Sequence, residues 1–146
     1  MKVAFKLVEH GSEEWKAAVR LREDILRKPL GSYFTDEELE EEKNHIQIVG
    51  LVDGEIIATT VLVPENQWMK MQRVVVKEEL RSSGIGSEMM AFCEKISSGK
   101  GKHRIFCHAR DTAVNFYLNN HYLVEGAYFP EDGIPHVKMV KQINNL

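Results

Sequence analysis

The sequence predicts an α/β fold of the α+β kind, one domain over residues 1–146 closed around a single mixed sheet. Three observations carry that prediction. Strand-like and helix-like stretches follow one another in the order β-αα-βββ-α-β-α-ββ. Two of the strands are joined by Asp53-Gly54, a dipeptide suited to a two-residue hairpin turn. No repeat, low-complexity tract or linker interrupts the 146 residues, about what one hydrophobic core closes over without metal or disulfide support.

Residues 3–9 alternate as a half-buried strand does. Ser12 then stands as an N-cap before Glu13 and Glu14, acids suited to the positive end of a helix dipole. Apolar positions run through Trp15, Val19, the stem of Arg22, Ile25 and Leu26 until Pro29 and Gly31 stop the helix. Thr35 and Glu38 form a capping box that opens a short acidic helix to about Lys43, its run Glu37 to Glu42 reading as a solvated face. Strands follow over His45 to Val52, Glu55 to Val63 and, after a turn at Pro64-Glu65-Asn66, Gln67 to Val76. The apolar run Val74-Val75-Val76 predicts burial on both faces. In the next helix Ile85, Met89, Phe92, Cys93 and Ile96 recur at helical spacing, and Ser97-Ser98-Gly99-Lys100-Gly101 ends it. The last third reads as a buried strand at His103 to Ala109, a helix at Thr112 to Asn120, and strands near Tyr122 to Ala127 and His136 to Gln142.

Composition narrows the classes of function. A hydrophobic fraction of 43% and a charged fraction of 28% are ordinary for a soluble domain, and no apolar stretch approaches the roughly 20 residues that span a bilayer. The first residues lack the apolar core and cleavage site of a signal peptide, so a cytoplasmic protein is expected, with no membrane partner. Cys93 and Cys107 lie in apolar segments and are expected reduced and buried. A net charge of −3 gives no general attraction to nucleic acid, so a phosphate-bearing ligand has to be held by local features.

One segment offers them. Arg81-Ser82-Ser83-Gly84-Ile85-Gly86-Ser87 lies between the apolar strand and the amphipathic helix. Glycines there let backbone approach a ligand, and a helix N-terminus presents free N–H groups and partial positive charge. Arg81 adds a fixed cation, while Ser82, Ser83 and Ser87 add donors. A Walker A loop is excluded because no Lys-Ser or Lys-Thr follows a glycine, and the dinucleotide fingerprint fails at Met89, where its third glycine would stand. What remains is R-x-x-G-x-G after a hydrophobic strand.

That loop, preceded by Arg73-Val74-Val75-Val76, resembles the CoA pyrophosphate loop of the GNAT N-acyltransferases. Ala113 to Tyr122 resembles the same family's A-x-x-F-Y-x-x-x-G-F segment, with His121 where the glycine usually stands. A histidine tolerates an altered turn there better than a β-branched residue. Arg110 stands where the family commonly has Asn. The ending Gly133 to Met139 is similar to small bacterial members of the ElaA-like kind.

The resemblance implies a mostly antiparallel mixed sheet with a V-shaped split between its fourth and fifth strands, acetyl-CoA as cosubstrate, and a primary amine as acceptor. Backbone of Val74, Val75 and Val76 would pair with the pantetheine arm, and residues 81–87 would hold the pyrophosphate. Tyr117 would protonate the departing thiolate, since a phenol with a pKa of about 10 carries its proton at neutral pH; Phe116 would belong to the core. The acceptor amine needs a base. His45 and His136 are candidates on the substrate side, and residues 22–45 form the expected acceptor wall. A homodimer is compatible with this reading.

No metal is expected. His103 and His108 are five apart in a strand and face opposite ways, Cys107 and His108 are adjacent and diverge, and no G-x-S-x-G elbow is present. Two other readings stand beside the enzyme: a CoA-binding sensor without catalysis, and a protein-binding module that uses Glu37 to Glu42 as a platform.

Overall fold

The computed structural model describes residues 2–143. Seven strands, β1 (Ala4–Val8), β2 (Ile46–Val52), β3 (Glu55–Glu65), β4 (Trp68–Val76), β5 (Arg104–Arg110), β6 (Leu123–Glu131) and β7 (Ile134–Gln142), form one mixed sheet in the order β1-β2-β3-β4-β5-β7-β6. The helices are α1 (Glu13–Leu26), α2 (Asp36–Glu41), α3 (Ile85–Gly99) and α4 (Val114–Asn119). The chain divides into two compact units, one of residues 2–63 with Arg73–Met89, the other of Pro64–Gln72 with residues 90–143.

In the first unit α1 starts where Ser12 accepts a hydrogen bond from the Trp15 amide, and α2 starts at a complete capping box between Thr35 and Glu38. α1 buries Trp15, Ala18, Val19 and Arg22, and the first-unit sheet core is built on Ile48, Val49, Val61 and Leu62. Asp53 and Gly54 take φ of 50° and 80°, the doubly left-handed geometry a two-residue hairpin needs. Gly50 is required by packing: a Cβ there would stand 2.7 Å from the ring of Phe5, its partner on β1.

Three expectations change here. α2 ends at Glu41 in a 3-10 turn over Glu42–Asn44, and Glu42, expected in solvent, is 2% exposed because it meets the buried Arg22. β3 runs on through Pro64 and Glu65, so the turn falls at Asn66 and Gln67. Of Val74, Val75 and Val76 only Val75 is buried; the other two are half-buried, so this end of β4 is not closed on both faces.

In the second unit β4 pairs in parallel with β5 over Trp68↔Arg104, Met69↔Ile105 and Lys70↔Phe106, a ladder that stops there although β4 continues to Val76 and β5 to Arg110. β5 also pairs antiparallel with β7 along its whole length. β5 alternates rather than being buried throughout: Ile105, Cys107 and Ala109 face the core, and Phe106, His108 and Arg110 face the other way. β6 and β7 are a longer hairpin than expected. Leu123 to Glu131 returns through Asp132 (φ 52°) and Gly133 (φ 71°) into Ile134. His121 takes φ 70°, so the histidine itself adopts the left-handed conformation that leads from α4 into β6.

Candidate active site

The loop of residues 81–87 lies in the first unit. A short 3-10 turn over Glu78–Leu80 leads into it, and α3 begins at Ile85, so Gly84 stands at the helix start with its carbonyl accepting from the Glu88 amide at 3.0 Å. The first N–H groups of α3 have no intrahelical partner and are suited to serve a ligand. Gly84 takes φ 86°, and a Cβ built on it would meet nothing within 4 Å. The glycine is therefore required by backbone conformation, and the space above it is vacant for an approaching group. Ser82 also lies in the left-handed region, at φ 66°.

Arg81, Ser82, Ser83, Gly84 and Ser87 are exposed, Gly86 is half-buried, and Ile85 is buried as the helix's anchor. Within the loop the Arg81 Nε donates to the Val76 carbonyl at 3.2 Å, and the Ser83 hydroxyl donates to Leu80 O. The first bond ties the loop to the end of β4 and the second ties it to the 3-10 turn. Val74, Val75, Val76 and the loop residues thus share the first unit, as does His45, whose Nδ1 is buried without a hydrogen-bond partner among the described residues.

The same unit holds a charged cluster that sequence reasoning missed. Arg22, 1% exposed, donates from Nη2 to Glu42 Oε1, and Arg73 donates from Nε to Glu42 Oε2 at 3.3 Å. Arg27 meets both carboxylate oxygens of Glu38, at 3.1 and 2.6 Å. The ring of Phe34 lies beneath three guanidinium groups, those of Arg22, Arg27 and Arg73, at 4.9, 4.1 and 4.9 Å. The hydrogen bond from Arg27 holds the Glu38 carboxyl down at about 2, while burial pulls the Arg22 pKa below its ordinary value. Arg22 falls at helical spacing from Trp15, Ala18 and Val19, so a cation on the buried stripe of α1 was the available signal.

Tyr117 and His136 belong to the second unit. Tyr117 is 5% exposed, its ring edge-on to Phe116 and Tyr122, its hydroxyl on the side of the Cys107 thiol. Burial, followed by Cys107, raises its pKa well above 10, and burial pushes the Cys107 thiol up to about 12. Both groups keep their protons at neutral pH. Tyr122 donates to Glu94 at 2.9 Å, and Glu94 also accepts from Lys141 at 2.9 Å.

His136 is buried; its Nδ1 bonds to Ile134 O at 2.8 Å, and its Nε2 lies 3.5 Å from Glu131 Oε2. Because a carbonyl only accepts, Nδ1 carries the hydrogen. The other Glu131 oxygen meets His108 Nδ1 at 3.1 Å, and Phe129 lies against both imidazoles. The extension of β6 and β7 beyond the expected strands makes this arrangement, returning Glu131 beside His136. Among the described residues no group of three or more His, Cys, Asp or Glu side chains is arranged to hold a metal ion, and no helix is long and apolar enough to cross a membrane.

Comparison with known proteins adds independent findings. Residues 16–143 match the family model of the acetyltransferase (GNAT) domain. The uncharacterized N-acetyltransferase YjcF of Bacillus subtilis (strain 168) is 28% identical over 137 residues, which are 92% of this chain and 97% of that protein. A crystal structure from Lactobacillus plantarum, classed provisionally as an N-acetyltransferase, superimposes with a TM-score of 0.82 at 26% identity, covering 98% of each chain. Escherichia coli ElaA (TM-score 0.81, 19% identity, 96% of this chain and 99% of that one) shares the fold. So does an aminoglycoside 6′-N-acetyltransferase complexed with coenzyme A (0.82, 16%, 98% of each).

Proposed function

The chain belongs to the GNAT acetyltransferase family and is an acyltransferase, and from that premise we propose that it moves the acetyl group of acetyl-CoA to a primary amine by direct attack. The observation that carries the proposal is the 81–87 loop: an exposed arginine, exposed serines and a left-handed glycine with open space above it, at the start of a 15-residue helix. Those groups fit a pyrophosphate. Exposed N–H and O–H donors replace its water, and the helix dipole and Arg81 offset its charge. Backbone of Val74, Val75 and Val76 is assigned to the pantetheine arm, and an amide there to the carbonyl oxygen of the thioester.

Proton traffic follows from ordinary acidities. A lysine-like amine has a pKa of about 10.4 and must shed a proton before it attacks. His136 is the stronger of the two base candidates: with Nδ1–H spent on Ile134, Nε2 offers the lone pair, and Glu131 is at hand to stabilise the imidazolium. His45 is the other. Tyr117 is assigned to the departing thiolate; with its pKa raised, the phenol gives its proton only in step with C–S cleavage and not beforehand. The expected setting is the cytoplasm, with or without homodimer formation.

One observation favours a second reading, a CoA-binding sensor. Tyr117 is buried between the rings of Phe116 and Tyr122, as a packing residue would be. Thermal unfolding with and without acetyl-CoA, followed by thiol release on a panel of primary amines, separates the readings. A rise in Tm with turnover supports the enzyme, a rise without turnover the sensor, and no rise removes both.

A further inference from the structure

β4 contains a conformation that strands avoid. Arg73, in the middle of its C-terminal half, has φ 55°. Three of the other left-handed non-glycine positions, Asp53, Asn66 and Asp132, are turn residues whose short polar side chains adopt that region readily. An arginine inside a strand has no such excuse, and a conformation of this kind persists only where the surroundings over-determine it.

The surroundings here are the charged cluster. The Arg73 Nε is bonded to Glu42 at 3.3 Å, its Nη2 lies 3.8 Å from Glu38, and its guanidinium lies over Phe34. Glu42 is itself held by Arg22, which α1 buries, and Phe34 is fixed by its backbone N–H, which donates to Glu23 Oε2 at 3.1 Å. Three elements, α1, the segment carrying Phe34 and α2, and the 3-10 turn at Glu42, thus converge on one strand residue. The sign of φ at Arg73 sets the relative orientation of the two peptide planes it joins, immediately before Val74 and Val75.

We infer that the Arg22–Glu42–Arg73 clamp, closed over Phe34, holds Arg73 left-handed and thereby orients the backbone of Val74 and Val75 for acyl transfer. Arg73 and Glu42 are positioning residues, touching neither thioester nor acceptor. The inference rests on the reading that this end of β4 holds the thioester. It explains why the acceptor-side segment 22–45 carries buried charges: that segment sets the geometry of the transfer site as well as walling the acceptor.

The test exploits a reversal of normal strand preference. Glycine ordinarily weakens a strand relative to alanine, but at a left-handed position alanine is strained and glycine is not. Arg73→Ala, Arg73→Gly and Arg73→Asn all break the clamp; Gly and Asn tolerate the backbone, Ala does not. Thiol release from acetyl-CoA is measured with the best amine of a primary-amine panel and with water alone as acceptor, alongside the acetyl-CoA Kd. The Ala variant is expected to lose about tenfold in kcat, with Gly and Asn within about threefold of wild type and Kd unchanged in all three. Backbone carbon chemical shifts at residue 73 of the Ala variant should move from left-handed to extended values. Ala matching wild type in rate and shift, or Gly and Asn falling as far as Ala, overturns the inference. If the wild-type protein neither binds nor cleaves acetyl-CoA, the reading of the site falls instead, and the shifts at residue 73 alone decide the clamp: retention of left-handed values in the Ala variant refutes it.

Discussion

Two buried polar groupings, one in each compact unit, use opposite chemistry. The first buries a charge pair, Arg22 with Glu42, and surrounds Phe34 with guanidinium groups. The second puts a neutral phenol against a neutral thiol, Tyr117 with Cys107. Buried charges are costly to desolvate and more costly to leave unpaired, so the first arrangement is rigid in partner and geometry. A buried phenol keeps its proton across the working pH range. Its contribution to stability is modest and its chemical capacity large. The first unit's cluster should therefore announce itself in stability, and Tyr117 in rate.

Breaking the second unit's pair should give the largest effect on chemistry. Tyr117→Phe keeps the ring against Phe116 and Tyr122 and removes only the hydroxyl. General acid catalysis contributes about 10²–10⁴-fold, so kcat should fall by that much with the acetyl-CoA Kd constant, while loss of the buried hydroxyl costs only about 1 kcal/mol of stability. With the phenol's pKa raised, no loss of activity from Tyr117 ionisation is expected below pH 10. Wild-type kcat in the variant, with chemistry rate-limiting, would make Tyr117 a packing residue.

Glu42→Ala is the matching disruption of the first unit. It leaves the Arg22 guanidinium buried without its partner, and urea unfolding should show a loss of about 3–5 kcal/mol. A loss below 1 kcal/mol would mean that Arg22 is rescued by water or another group. The smallest effect sharpens the contrast by pH. The Glu38 carboxyl, depressed from 4.5 to about 2, stabilises the fold above its unfolded pKa, and that contribution should disappear as pH falls from about 4.5 towards 2. The sign follows because the unfolded state binds the proton first. In Glu38→Gln that part of the acid-induced loss should be absent.

What could be read in the sequence was local. The Ser12 cap, the Thr35–Glu38 capping box and the Asp53-Gly54 turn each depend on residues a few positions apart, and each is found where expected. The start of α3 at Ile85, just after a left-handed Gly84, was legible for the same reason. The second hairpin carries the same dipeptide, Asp132-Gly133, but Pro130 and Pro135 stand on either side of it and argue against strands. In the structure those two prolines are register partners beside the turn, Pro130 on the edge strand β6 and Pro135 just beyond the β5 pairing, which ends at Arg110↔His136, so neither missing N–H interrupts a central ladder. Glu42 was misplaced because an acidic run looks solvated whichever of its members turns inward. Its partner is 20 residues earlier, and only the convergence of α1 with the 3-10 turn after α2 selects it. The closeness of Tyr117 to Cys107 was invisible for a like reason, since one lies on α4 and the other on β5.

The central claim is that acetyl-CoA is held at the 81–87 loop, and calorimetric titration of wild type against Gly84→Val tests it most directly. Gly84 is left-handed with open space above it, so valine both strains the turn, by about 1–2 kcal/mol, and projects methyl groups where the pyrophosphate must approach. The account predicts saturable binding of acetyl-CoA to the wild type and none to a folded Gly84→Val variant; equal affinity in the two proteins would contradict it.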